Sequence, residues 1–193
     1  MEKNSKNRYL GDIATAEPMT ERKKPDLATI KLMILDVDGV LTDGTITINA
    51  DGSESKRFNL LDGHGIRMWH RAGLRTAIIS GRKTEATAIR AEQMSITHVF
   101  QGCQKKLPAF EELLAQCQLS AEEVVYIGDD VLDIPIMRRV GFAVAVANAV
   151  DEAKSCCHYI TSQAGGNGAV REVIEYILKN TDRWSGLMGR YLV

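Results

Sequence analysis

Six short apolar runs, at residues 31–37, 75–80, 98–101, 124–128, 142–147 and 159–161, recur along the chain with helical patterns between them. The intervening patterns predict helices over 65–71, 84–94, 107–118, 132–140, 150–155 and 169–179. Runs apolar almost throughout, not alternating, belong to strands covered on both faces. Strand–helix alternation of that kind predicts an α/β fold, a doubly wound Rossmann-like parallel sheet. At 193 residues the chain is long enough to give one such domain a full core.

The organisation follows from where the pattern breaks. Residues 1–28 are polar and charged, with Pro18 and Pro25, and read as an N-terminal extension before a domain over 29–180. Within that domain, Ala50-Asp51-Gly52 lies between two alternating stretches, the signal of a β-hairpin projecting over 45–59. Residues 181–193 lack helical periodicity and are expected as a mobile tail or a contact of a neighbouring subunit.

Ligands of open parallel sheets bind beyond the carboxyl ends of the strands. The chemistry-bearing residues fall there. Ile34-Leu35-Asp36-Val37-Asp38-Gly39 drives an apolar strand into two carboxylates two residues apart. If the chain is still extended at Val37, both point to one face, and their repulsion is most simply offset by a divalent cation. Taken alone, a plain metal site accounts for that pair. Ser80, followed by Gly81-Arg82, ends a second strand and suits an anionic oxygen, although Ser-Gly also opens ordinary turns. Asp129 and Asp130 end a third, with Asp133 one helical turn further on. Helix capping explains one acid there, not three. Lys105 and Lys106 precede the next helix, a place where lysine is usually just solvated.

Composition removes other classes. The net charge of −1 offers no basic stripe for nucleic acid. Cys103, Cys117, Cys156 and Cys157 form neither a CxxC pair nor a zinc spacing and read as reduced thiols of a cytoplasmic protein. No run is long enough to span a bilayer and the amino terminus has no signal-type apolar core, which argues against membrane and secretion.

Together, the four acid, hydroxyl and lysine segments resemble, in order and spacing, the haloacid dehalogenase-like phosphohydrolases. That resemblance implies a magnesium-dependent reaction with Asp36 as nucleophile and Asp38 as general acid/base. It implies that Ser80 contacts phosphoryl oxygens and that Lys106, rather than Lys105, stabilises an aspartyl-phosphate. Asp36, Asp129 and the backbone carbonyl of Asp38 would hold Mg2+, with Asp130 and Asp133 orienting metal-bound water. The segments before 80 and between 80 and 106 are too short for a cap domain, so a large substrate or a neighbouring chain must meet the open cleft.

Asp36 to Gly44, Asn59-Leu60-Leu61-Asp62-Gly63-His64-Gly65-Ile66-Arg67, Ile79 to Arg82, Gly128 to Asp130 and Gly165 to Glu172 are similar to one family within that group, the 3-deoxy-D-manno-octulosonate 8-phosphate (KDO 8-P) phosphatases. This likeness implies a homotetramer in which neighbouring subunits complete each active site, and a product used in lipopolysaccharide. Asp38, Asn59, Leu60, Leu61, Asp62, Gly63, Arg67, Arg82, Arg90 and Lys106 would bind substrate, arginine forks pairing with phosphate or carboxylate. Without the likeness, Arg67 and Arg90 read as helix-surface residues. Leu61 departs from the polar or basic residue that many members have there, and the tail departs from the family's small glycine-rich one. The Gly165 to Gly168 loop reads as a turn into the last helix.

Three alternatives accompany this reading. A phosphatase of nine-carbon sialic-acid-type phosphates would share scaffold and motifs. A phosphoacceptor receiver domain would share sheet, acids, hydroxyl and lysine, but places its acid pair before the phosphoacceptor strand. An idle oligomerisation module would not need every catalytic residue type.

Overall fold

A computed structural model describes residues 24–192. Six strands form one parallel sheet: β1 (Leu32–Leu35), β4 (Arg75–Ile79), β5 (His98–Phe100), β6 (Val124–Gly128), β7 (Phe142–Ala145) and β8 (Tyr159–Ile160), in the order β5-β4-β1-β6-β7-β8. The chain leaves β1 towards β4 and β5, then returns to its other side for β6, β7 and β8. β1 is therefore the switch point of a doubly wound sheet. Every residue of β1, β6 and β7 is buried, as strands covered on both faces must be.

Helices α1 (Leu60–Arg71), α2 (Glu85–Gln93), α3 (Lys106–Cys117), α4 (Ile134–Met137), α5 (Asp151–Ser155) and α6 (Ala169–Lys179) follow the strands. The core runs through Ile34, Trp69, Ile78, Phe110, Ile127, Val144 and Ile174. On α6, Val170, Val173, Ile174, Ile177 and Leu178 make the buried stripe of an amphipathic helix, and it lies along α1. The two helices approach closely because Gly65 has no side chain: a Cβ there would lie 2.9 Å from Arg171 Cδ.

The hairpin forms where Asp51-Gly52 placed it, with β2 (Thr47–Ile48) antiparallel to β3 (Glu54–Ser55). Gly52 takes φ +83° and Asp51 Oδ1 accepts from Ser53 N at 2.9 Å. Among the described residues no further domain is inserted after β1 or after β4. No described helix is long and apolar enough to cross a membrane.

The structure revises several sequence expectations. β1 stops at Leu35, and the chain already bends at Val37. α1 starts at Leu60, five residues earlier than its pattern suggests, because Asn59 caps it by accepting from Leu61 N. α4 is only four residues long. Residues 181–192 are not irregular: α7 (Trp184–Met188) and a 3-10 turn (Gly189–Tyr191) follow α6. Trp184 and Leu187 rest against the core, Lys179 Nζ sits 4.6 Å above the Trp184 ring, and Arg71 donates to the Tyr191 hydroxyl at 2.8 Å. Most of the expected extension, residues 1–23, lies outside the described residues; a 3-10 turn (Leu27–Thr29) leads into β1.

Candidate active site

Asp36, Ser80 and Asp129 each follow the last residue of one of three neighbouring strands, β1, β4 and β6, so the sheet gathers them at one mouth. Asp36 N donates to Ile127 O at 3.1 Å and Ser80 N to Phe100 O at 2.9 Å, which extends the ladder one residue beyond β1 and β4. Asp36 and Ser80 are buried.

Lys106, the first residue of α3, is 3% exposed and reaches into the same place. Its Nζ lies 2.9 Å from Asp36 Oδ1 and 2.6 Å from Asp133 Oδ1. Lys105 is exposed. Asp133, fully buried, is a hub. Its Oδ1 also accepts from the Tyr126 hydroxyl at 2.5 Å, and its Oδ2 from Asp129 N at 2.8 Å and Asp130 N at 3.1 Å. It anchors the lysine and shapes the loop after β6. Gly128 makes room for it, since a Cβ there would sit 2.6 Å from the Asp133 carboxyl carbon. Asp130 is exposed and accepts from Val131 N in the turn.

Burial and like charge set the titration. Burial pushes Asp36 from 3.8 up to about 6; Lys106 opposes this and Asp133 reinforces it. Burial, followed by the Asp36 and Asp133 charges, pushes Asp129 up to about 8. For Lys106 burial works against the ammonium, but Asp36 and Asp133 outweigh it and the pKa rises.

Asp36, Asp129 and Asp133 offer carboxylate oxygens within 4.8 Å of one another. Because the oxygens of Asp133 are already taken up by hydrogen bonds, a cation falls to Asp36 and Asp129. Asp129 Oδ1 is buried without a hydrogen-bond partner, which a divalent ion bound by oxygen ligands would satisfy. Gly39, at φ +93°, keeps this space open, because a Cβ there would overlap the Asp129 carboxylate. The residues present therefore fit a magnesium ion.

Asp38 does not join this cluster through its side chain. With the chain turning after Asp36, its Oδ1 pairs with Lys56 Nζ, and its Oδ2 lies 3.9 Å from Arg82 Nε. Arg82 also pairs with Glu54. A cation is therefore not the sole offset to the two acids: Lys106 pairs with Asp36 and Lys56 with Asp38. Lys56 and Glu54 were not among the site residues read from the sequence. Their signal was a Glu-x-Lys alternation on the hairpin, legible only once the hairpin is known to fold back.

The Asn59 to Gly63 segment is the cap and first turn of α1. Asn59 Nδ2 donates to Gly166 O at 3.2 Å, while Leu60 and Leu61 are exposed. Asp62, expected to touch substrate, is 1% exposed, and its Oδ1 accepts from Arg171 N at 2.8 Å in the first turn of α6. Arg67 and Arg90 line a shallow cleft with Leu60, Gly63, His64 and Met94. Arg90 stacks over Phe58 and donates to Asn59 O at 3.3 Å. The Gly165 to Gly168 turn does lead into α6, with Gly168 at the cap, and it also braces the acidic loop: Gly166 N donates to Val40 O at 2.9 Å.

Residues 82–174 match the family model described as haloacid dehalogenase-like hydrolase. The chain is 46% identical over 162 residues to the KDO 8-P phosphatase of Yersinia pestis, covering 84% of this chain and 87% of that one. It is 46% identical over 149 residues to the enzyme of the same name from Escherichia coli K12, covering 77% and 79%. The solved structure of the Yersinia pestis phosphatase superposes with a TM-score of 0.81 at 46% identity, over 83% of this chain and 86% of that one. The Moraxella catarrhalis KDO 8-P phosphatase, solved in complex with magnesium, phosphate and KDO, gives a TM-score of 0.83 at 38% identity, over 86% and 95%. With its strand-end carboxylates, buried lysine and uninterrupted sheet domain, this chain belongs to the KDO 8-P phosphatase family of haloacid dehalogenase-like hydrolases.

Proposed function

We propose that this protein is a magnesium-dependent phosphatase that hydrolyses KDO 8-P to KDO and phosphate through an aspartyl-phosphate. The observation that carries the reading is the placement of Asp36 at the end of β1 with Lys106 Nζ 2.9 Å away, beside Asp129 and Asp133. Asp36 attacks phosphorus, Lys106 steadies the charge on the attacking carboxylate and on the acyl phosphate, and Ser80 contacts phosphoryl oxygens. Asp38 gives a proton to the leaving alkoxide and then takes one from the attacking water. Asp36, Asp129 and the Asp38 carbonyl would hold magnesium, which shields the anionic phosphate from the anionic nucleophile.

Substrate is met by Asn59, Leu60, Leu61, Gly63, Arg67, Arg82 and Arg90. Support comes from Arg82 lying beside Asp38 and from Arg67 and Arg90 lining one cleft. Asp62 acts behind them by fixing α6. We also propose a cytoplasmic homotetramer in which neighbouring copies complete the sites. Ile46 and Ile48 on the hairpin, and Leu60 and Leu61 on α1, are exposed apolar residues suited to that contact. The lipopolysaccharide role follows from the product. Family membership sets aside the receiver and idle-module readings.

Phosphate release from KDO 8-P and from nine-carbon sialic-acid-type phosphates tests the assignment. The eight-carbon substrate is expected to give the higher kcat/KM by at least tenfold. Equal or reversed rates contradict it.

A further inference from the structure

Glu54 opens the hairpin's returning strand β3 and Lys56 follows its last residue, two positions on, the spacing that in extended chain puts side chains on one face. Lys56 turns to the acidic loop and Glu54 to Arg82 in the loop after β4. Glu54 Oε1 accepts from Arg82 Nη2 at 2.5 Å, and Lys56 Nζ donates to Asp38 Oδ1 at 2.5 Å. The Lys56 side chain is 0% exposed, whereas the hairpin strands around it are largely open to solvent. Burying an ion pair costs desolvation that its attraction often fails to recover, so such a pair is weak support for stability. At this place it does something else. Asp38 Oδ1 is fixed by the ammonium, while Asp38 Oδ2 is buried with no hydrogen-bond partner and Arg82 Nε stands 3.9 Å from it.

We infer that Lys56 is a positioning residue for the reaction: by holding Asp38 Oδ1 it fixes the orientation of the carboxyl and leaves Oδ2 as the atom that exchanges the proton. The inference rests on the phosphatase reading above. In the first half, an Asp36 oxygen bonds to phosphorus, the bond from phosphorus to the sugar oxygen breaks, and the departing alkoxide takes the proton from Asp38 Oδ2. In the second, a water oxygen bonds to phosphorus, its proton passes to Asp38 Oδ2, and the bond from phosphorus to Asp36 breaks. Glu54 steadies the Arg82 guanidinium beside Oδ2, so the base of the hairpin serves the chemistry of its own chain.

The test is Lys56→Met, with magnesium, on KDO 8-P and on p-nitrophenyl phosphate, whose leaving group departs without a proton. On the sugar phosphate kcat is expected to fall about 10- to 100-fold, within the reach of acid–base catalysis, with KM changed less than about threefold. On the aryl phosphate a burst of p-nitrophenolate, larger than wild type and close to the enzyme concentration, precedes a slow phase, because only the second half then needs Oδ2. Lys56→Arg, which keeps a charged donor, recovers part of kcat. An unchanged kcat overturns the inference. So does a raised KM with kcat kept, which would make Lys56 a substrate contact, or an equal loss on both substrates without a burst, which would make it structural. If Lys56→Met fails to fold, Lys56→Gln is read by the same criteria. Wild-type turnover of the aryl phosphate without turnover of KDO 8-P defeats the substrate assignment alone, and the burst still decides the role of Lys56.

Discussion

Asp36 concentrates the residue-scale argument, since one side chain must be buried enough to be held and charged enough to attack. Asp36→Asn keeps the shape but removes the nucleophile. It is expected to lower phosphate release at least 10³-fold while leaving the circular dichroism spectrum unchanged; turnover within tenfold of wild type contradicts its role. The acids also fix a pH dependence. Asp36 and Asp129 rise from 3.8 to about 6 and about 8, so between pH 4 and 8 the folded chain holds protons that the unfolded chain has released. Stability from these groups is fully present below pH 4 and is lost as pH rises through 6 and then 8. Without metal, the melting temperature should therefore drop from pH 5 to pH 8, and stabilisation by added Mg2+ should grow over the same range. A metal-free melting temperature that rises over that interval contradicts the raised pKa values of these acids, and stabilisation by Mg2+ that does not grow over it contradicts the assignment of a cation to this cluster. Asp36, Asp38, Ser80 and Asp129 were legible in the sequence because each ends or follows an apolar run. Lys56 and Glu54 were not, because their partners lie 18 and 28 residues away.

At the scale of elements, α1 shows why local pattern falls short. Its first turn carries two exposed leucines and then Asp62 and Gly63, which read as a loop. The helix forms because Asn59 caps it, because the space above Gly63 belongs to the Arg90 guanidinium, and because α6 presses on Gly65. Asp62 then gives its carboxylate to backbone N–H groups at the start of α6, a capping bond made from another helix. Asp62→Ala should destabilise the fold by about 1–2 kcal/mol, the usual value of a lost cap. Urea unfolding measures it, and a loss under about 0.3 kcal/mol contradicts the capping role. The tail is a second case. Five residues, Trp184–Met188, are too few to show periodicity, and their helix is stabilised by contacts of Trp184 and Leu187 that only the assembled core provides.

Over the whole molecule, the doubly wound sheet was the most legible feature, since near-continuous apolar strands have few other solutions. The positions of all six strands followed from the sequence, with differences confined to their ends. What the sequence left open was the direction in which the hairpin leans. Its turn chemistry fixes the hairpin itself, but its placement over Asp38 depends on two ion pairs across the chain. The same hairpin carries exposed Ile46 and Ile48, so one element bears on both the chemistry and the proposed assembly. The most direct measurement is steady-state phosphate release from KDO 8-P by the wild-type protein, with millimolar Mg2+ and then with excess EDTA. Turnover with magnesium that falls at least 100-fold under EDTA and returns on adding Mg2+ is the expected result. Absence of release with magnesium, or equal release under EDTA, contradicts the account.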